Sequence, residues 1–234
     1  MSVAAAGEIA DHGPLAPLYA QPSRRALAER ALGLVGGGRA LLGIVGEPGA
    51  GKSTFAEQLL AEVATLRPGA AVGVSMDGFH LAQQVIDRQG KADRKGAVDT
   101  FDARGFVAML RRTAGETDQS VWWPEFRREI EEPVAQAVEV TPAHRLVVVD
   151  GNFLLTTDPP WHEVRDLLTE TWFLDADPGP RRERLVRRYI RYGFGEESAR
   201  AKTEGIDEIT SAHIRRTCAT ADLTLHESGR APGA

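Results

Sequence analysis

Leu41-Leu42-Gly43-Ile44-Val45 runs directly into Gly46-Glu47-Pro48-Gly49-Ala50-Gly51-Lys52-Ser53-Thr54. The first part is a short apolar run bounded by glycines, the mark of a strand buried on both faces of a parallel sheet. Beyond the second part, Phe55, Leu59, Val63 and Leu66 recur at helical spacing until Pro68-Gly69 stops them. A glycine-rich turn between a buried strand and a helix N-terminus is an anion cradle: its N–H groups converge, and the helix dipole favours negative charge. Gly46 to Ser53 meets the phosphate-binding loop pattern in full. The run from Gly46 to Thr54 is therefore read as binding a nucleotide. Lys52 is expected at the β- and γ-phosphates, the Ser53 hydroxyl on Mg²⁺ and Thr54 at the α-phosphate.

Working outward, Ala71 to Met76, Leu146 to Asp150, Thr171 to Asp175 and Leu223 to Leu225 read as further strands. Arg24 to Leu34 reads as a short helix, Asp102 as the cap of a helix reaching Arg112, and Asp177-Pro178 as the start of one running to Tyr192. Residues 81–102 read as a loop or interrupted helix, and Val121 to Pro124 as a short edge strand. Phe126, Ile130, Val134 and Val138 have helical spacing, which Pro133 interrupts. Strands alternating with helices predict a three-layer α/β/α fold with a mainly parallel sheet, that of a P-loop NTPase with a small helical lid. The division expected is an irregular arm over 1–23, one domain over 24–226 with a lid near 187–200, and a polar tail over 227–234.

Composition narrows the function classes. The chain has 234 residues, enough for one domain with its own core, and a formal net charge of −5, which argues against broad nucleic-acid binding. A single cysteine, Cys218, excludes an internal disulfide framework and points to a reducing cytoplasm. No apolar run is long enough to cross a membrane, and Glu8 and Asp11 do not suit a signal peptide. Of 28 basic residues only Lys52, Lys91, Lys95 and Lys202 are lysines, so each retained lysine raises a question of role. His12, His144, His162, His213 and His226 show no metal-ligand spacing.

Phosphoryl transfer needs a carboxylate on the metal side and a base near the acceptor hydroxyl. Two strand ends supply candidates, where an open α/β sheet presents its site. Asp150 is the magnesium-side carboxylate and Asp77, within Asp77-Gly78-Phe79-His80, the base. The helix from Pro178 to Tyr192 gathers Arg181, Arg182, Arg184, Arg187, Arg188 and Arg191 beside Gly193-Phe194-Gly195. Arg187, Arg188 and Arg191, nearest that turn, are expected to act as lid arginines on the transferring phosphoryl group.

These segments resemble the phosphoribulokinase/uridine kinase family of P-loop kinases, which includes pantothenate kinase, and most closely its bacterial nucleoside/nucleotide kinase or fructokinase-like branch. The resemblance spans about Leu41 to Leu225. It rests on Ser75 to His80, on Arg94-Lys95-Gly96-Ala97-Val98-Asp99-Thr100-Phe101-Asp102, on Phe126 to Val134 and on Val149 to Leu155. It implies that Asp77 is the base, Asp150 the magnesium-side carboxylate, and that His80, Lys95, Phe101, Trp123, Arg127 and Arg128 line the acceptor pocket. Asp150 stands where the family usually has glutamate, Val98 where it has proline, and Thr210 where an asparagine often lies near the nucleotide base. Arg127 stands where it has aspartate, inverting a charge near the pocket.

The expected activity is an ATP- and Mg²⁺-dependent kinase acting on a hydroxyl of a small metabolite: a nucleoside, a sugar such as fructose, or a pantothenate-like acid. A nucleoside monophosphate kinase is the alternative, with Arg94, Lys95 and Arg127 meeting an acceptor phosphate. A regulatory P-loop NTPase is the other. Against it, Gly90-Lys91-Ala92-Asp93 lacks the residue and preceding strand that guanine recognition calls for. Trp122-Trp123 reads as pocket wall or as the interface of a homodimer.

Overall fold

A computed structural model describes residues 22–227. The arm read over 1–23 and the tail over 227–234 lie outside them except for Pro22, Ser23 and Glu227. The chain forms α1 (Arg24–Gly33), β1 (Ala40–Gly46), α2 (Lys52–Leu66), β2 (Ala71–Ser75) and, after a 3₁₀ turn at Met76–Phe79, α3 (Gln83–Arg88). Next come α4 (Ala103–Gly115), β3 (Val121–Arg127), β4 (Glu132–Val140), β5 (Leu146–Gly151), α5 (His162–Leu167) and β6 (Glu170–Asp175). The last elements are α6 (Pro178–Arg191), α7 (Glu196–Lys202), α8 (Glu208–Arg215) and β7 (Leu223–His226).

Five strands make one parallel sheet in the order β2-β5-β1-β6-β7, with β1 at its centre. Successive side chains of a strand point to opposite faces. On β1, Leu41 and Val45 join a core with Phe79, Phe106, Trp123 and Phe153, while Leu42 and Ile44 join another with Leu27, Phe55, Leu59 and Trp172. Both faces are thus covered, and the layers are α/β/α.

One expectation fails at Phe126 to Val138. Those residues form an antiparallel hairpin, β3 with β4, as a sheet of its own. Spacing by four is not a helical face here: Ile130 is exposed at the hairpin end, whereas Val121, Trp123 and Val140 are fully buried by strand alternation. Pro133 sits opposite Phe126, in a two-stranded sheet that spares it a central-strand position. Gly78 fixes the hairpin against the sheet. A Cβ there would lie 2.4 Å from the Pro124 carbonyl oxygen, so only glycine lets β3 press on the turn that carries Asp77.

Candidate active site

The phosphate-loop sequence folds as its glycines dictate. Gly49 has φ +78°, and a Cβ on it would meet the Arg181 carbonyl oxygen and Leu185 Cγ at 2.8 Å. Gly51 caps α2 in the left-handed region and its carbonyl accepts from Phe55 N at 2.9 Å. Lys52 folds back, donating to the carbonyls of Gly46 at 3.0 Å and Glu47 at 3.1 Å. Burial pushes this ammonium down to about 8, with Asp150 and Asp77 only partly offsetting it. It is a cation short of anionic partners, which a polyphosphate would supply.

The loop opens on a cavity of about 850 Å³ at the C-terminal edge of the sheet, lined by Pro48, Gly49, Gly51, Lys52, Ser53 and Thr54. Gly46, Glu47 and Ala50 do not line it. Glu47 turns inward instead, its carboxylate 2.8 Å from Arg181 Nε and 2.9 Å from Arg215 Nη1. Burial raises its carboxyl despite those two partners. Arg181, fully buried, also donates to the Pro48 carbonyl at 3.0 Å, and Arg184 donates to that of Gly49 at 2.9 Å. Two arginines of α6 therefore brace the loop from behind.

Ser53 Oγ donates to Asp150 Oδ2 at 2.9 Å. Burial raises the Asp150 carboxyl, helped by the nearby charge of Asp77. A hydroxyl and a buried carboxylate side by side are the hard oxygen donors that Mg²⁺ prefers. The donor set fits the ion. No cluster of three histidine, cysteine or acidic ligands occurs among the described residues.

Across the cavity, Arg128 Nη2 lies 2.8 Å from Asp77 Oδ2 and His80 Nε2 lies 4.0 Å from Asp77 Oδ1. Burial works against the Asp77 charge, but His80, Arg128 and Lys52 outweigh it and hold the carboxyl below the usual aspartate value. His80 stacks on Phe101 with centroids 4.0 Å apart and on Phe126 at 4.9 Å. Lys95 donates to Gln83 Oε1 at 2.9 Å and to the Glu131 carbonyl at 2.8 Å, with the Glu131 carboxylate at 3.6 Å.

Not every expected residue reaches this space. Trp123 lies in the core behind Phe79, its Nε1 donating to Thr113 Oγ1 at 2.8 Å, so it is neither pocket wall nor interface. Arg127 points to solvent and pairs with Glu125 at 2.6 Å, which takes the inverted charge out of the pocket. Its neighbour Arg128, the first residue of the turn beyond β3, faces inward to Asp77. On α6, Arg188 and Arg191 line the cavity, whereas Arg187 faces outward near Glu183 at 3.4 Å. Helical geometry separates 187 from 188 by about 100°.

Several lining residues have no site role in the sequence reading. Tyr189 donates to buried Asp207 at 3.0 Å, and burial pushes its phenol up to about 12. Lys202 sits 5.6 Å from the Tyr189 ring and 5.4 Å from that of Phe194. The scarcity of lysine is the one available signal for Lys202; Gln83, in a segment read as loop or interrupted helix, has none, and Glu131 has none when the hairpin turn is read by helical spacing.

A phosphate-loop sequence between a buried central strand and a helix, in a three-layer α/β/α fold, is the architecture of a P-loop kinase. No protein-family model matches the chain. It is 31% identical over 197 residues to "Putative uridine kinase C227.14" of Schizosaccharomyces pombe, covering 81% of this chain and 83% of that protein. It is 33% identical over 172 residues to "Uncharacterized protein YggC" of Escherichia coli, covering 71% and 70%. A crystal structure titled as a "putative fructose transport system kinase" from Silicibacter sp. TM1040 superposes with a TM-score of 0.79 at 32% identity, over 86% of this chain and 98% of that one. The chain belongs to the uridine kinase-like family of P-loop kinases. Among the described residues no helix is long and apolar enough to cross a membrane.

Proposed function

We propose that this protein is an ATP- and Mg²⁺-dependent kinase that moves the γ-phosphoryl group to a hydroxyl of a small uncharged metabolite, of the nucleoside or sugar class. One observation carries the reading: an ionised Asp77, held by Arg128, opens onto the same cavity as Lys52, Ser53 and Asp150. The loop from Pro48 to Thr54 would hold the phosphates, and Ser53 with Asp150 would hold Mg²⁺, which supplies positive charge to the phosphate oxygens. Asp77 takes the hydroxyl proton. Arg188 and Arg191, at the end of α6 beside Gly193 with φ +87°, act from a lid over 187–200 and exclude water on closing.

Charge pairing supports an uncharged acceptor. On the acceptor wall Lys95 faces Glu131 and Arg128 faces Asp77, while Arg94 pairs with Asp99 and Arg127 with Glu125 off that wall, so among the described residues of the wall no cation awaits an acceptor phosphate. The names of the fission-yeast relative and of the Silicibacter structure point the same way, to uridine and fructose. The test is ADP release from ATP and Mg²⁺ with uridine, D-fructose, pantothenate and UMP offered separately. Turnover with uridine or fructose is expected. Turnover with UMP alone would instead establish a nucleotide kinase.

A further inference from the structure

His80 has a feature that pocket lining does not explain. Its side chain is only 9% exposed, and Nδ1 is buried without a hydrogen-bond partner. The ring cannot swing to find one. Phe101 and Phe126 pack against it, and the backbone is pinned by a bridge between His80 and Phe101, with Leu81 N donating to the Thr100 carbonyl at 2.9 Å and Asp102 N to that of Phe79 at 2.8 Å. Burial pushes the imidazole down to about 4, with Lys95 and Arg128 adding to the effect and Asp77 opposing it, so the ring is neutral near pH 7. A neutral imidazole carries one N–H. A buried lone pair without a partner costs less than a buried N–H without one, which puts the proton on Nε2.

Nε2 lies 4.0 Å from Asp77 Oδ1, too far for a direct hydrogen bond. Two atoms at that separation can each reach one oxygen about 2.8 Å from both. Asp77 Oδ2 is already held by Arg128, which leaves Oδ1 free.

Building on the kinase reading above, we propose that His80 Nε2–H and Asp77 Oδ1 together seat the reacting hydroxyl of the acceptor. Nε2–H donates to the hydroxyl oxygen while that hydroxyl donates to Oδ1. In the transfer the hydroxyl oxygen bonds to the γ-phosphorus, the bond from that phosphorus to the β–γ bridging oxygen breaks, ADP leaves, and the proton passes to Oδ1. His80 thereby selects for a hydroxyl, a group that both accepts and donates.

Two measurements on the full chain test this. ¹⁵N NMR of histidine-labelled protein should show His80 as the Nε2–H tautomer, unchanged between pH 5.5 and 8 (on the order of the range over which free imidazole titrates). A resonance of the Nδ1–H tautomer, or titration near the usual histidine value, overturns the proposal. Separately, ADP release is followed with uridine, D-fructose and glycerol as probes in His80→Phe and His80→Gln. With a probe that the wild type phosphorylates, His80→Phe should lose at least about tenfold in kcat/KM for the probe with KM for ATP unchanged. Glutamine, whose amide N–H reaches the Nε2 position, should restore most of it. Wild-type kinetics in His80→Phe also overturn the proposal. No probe-dependent ADP release in the wild type counts instead against the kinase reading, and the tautomer still decides His80.

Discussion

The two halves of the cavity are built by opposite means. The half read as the nucleotide site is built chiefly from one continuous segment, Pro48 to Thr54, in which backbone conformation sets the site and Lys52 and Ser53 contribute side chains, joined by Asp150 from the end of β5. The acceptor half is assembled from side chains on separate segments: Asp77 and His80 after β2, Lys95 and Phe101 before α4, Phe126 and Arg128 at the end of β3. A backbone site tolerates changes in its surroundings but not in its glycines. A convergent site is rebuilt by single side-chain changes, so acceptor choice can drift while the nucleotide half stays fixed.

Lys52→Met should break the nucleotide half outright. It is expected to abolish the rise in Tm caused by ATP and Mg²⁺ and to lower kcat/KM by about a hundredfold or more. Without ligand the variant should be no less heat-stable than the wild type, because it removes a buried cation short of partners. Calorimetry with and without nucleotide measures both effects.

The pH dependence sharpens the same half. In the empty protein the Lys52 pKa is about 8, against 10.5 ordinarily, and bound polyphosphate favours the ammonium. Nucleotide binding must therefore take up a proton above pH 8, and its affinity should fall with rising pH by up to about tenfold per unit. Folding of the empty protein responds in the opposite sense. From about pH 8 to 10.5 the unfolded chain keeps a proton that the folded one has shed, so this group stabilises the fold as pH rises. Titration calorimetry in buffers of different ionisation heat detects the uptake.

Smaller effects separate neighbours. Arg188→Ala should lower kcat by about tenfold, as loss of one partly solvated cation at the phosphoryl group. Arg187→Ala and Arg127→Ala, which remove side chains that face solvent, should change kcat/KM by no more than about twofold. Steady-state kinetics on the three variants tests the facing of α6 and β3.

The same contrast explains what could be read from the sequence. The central strands, the phosphate loop and α2 were legible because apolar run, glycines and helix period lie next to one another in the chain. The arginines of α6 were legible as a group, but their division was not: Arg181 braces Pro48 and Glu47, Arg187 faces water and Arg188 faces the cavity, a matter of helix phase and tertiary neighbours. The start of the hairpin is legible as a strand at Val121 to Pro124, but its turn and return strand are not: the four-residue spacing from Phe126 to Val138 is coincidental, and the pairing of β4 with β3 is set by packing on Phe79 and α4. With it went Trp123, Arg127, Glu131 and the bond between Arg128 and Asp77.

The central claim is that Asp77 does chemistry for one half of the cavity without serving the other. Asp77→Asn removes the proton acceptor and leaves the phosphate loop intact. The direct measurement pairs ATP-Mg²⁺ thermal stabilisation with ADP release to an accepted hydroxyl compound in this variant. Stabilisation equal to the wild type with turnover lowered about 10²- to 10⁴-fold is the predicted result. Near-normal turnover, or loss of nucleotide stabilisation, would contradict it.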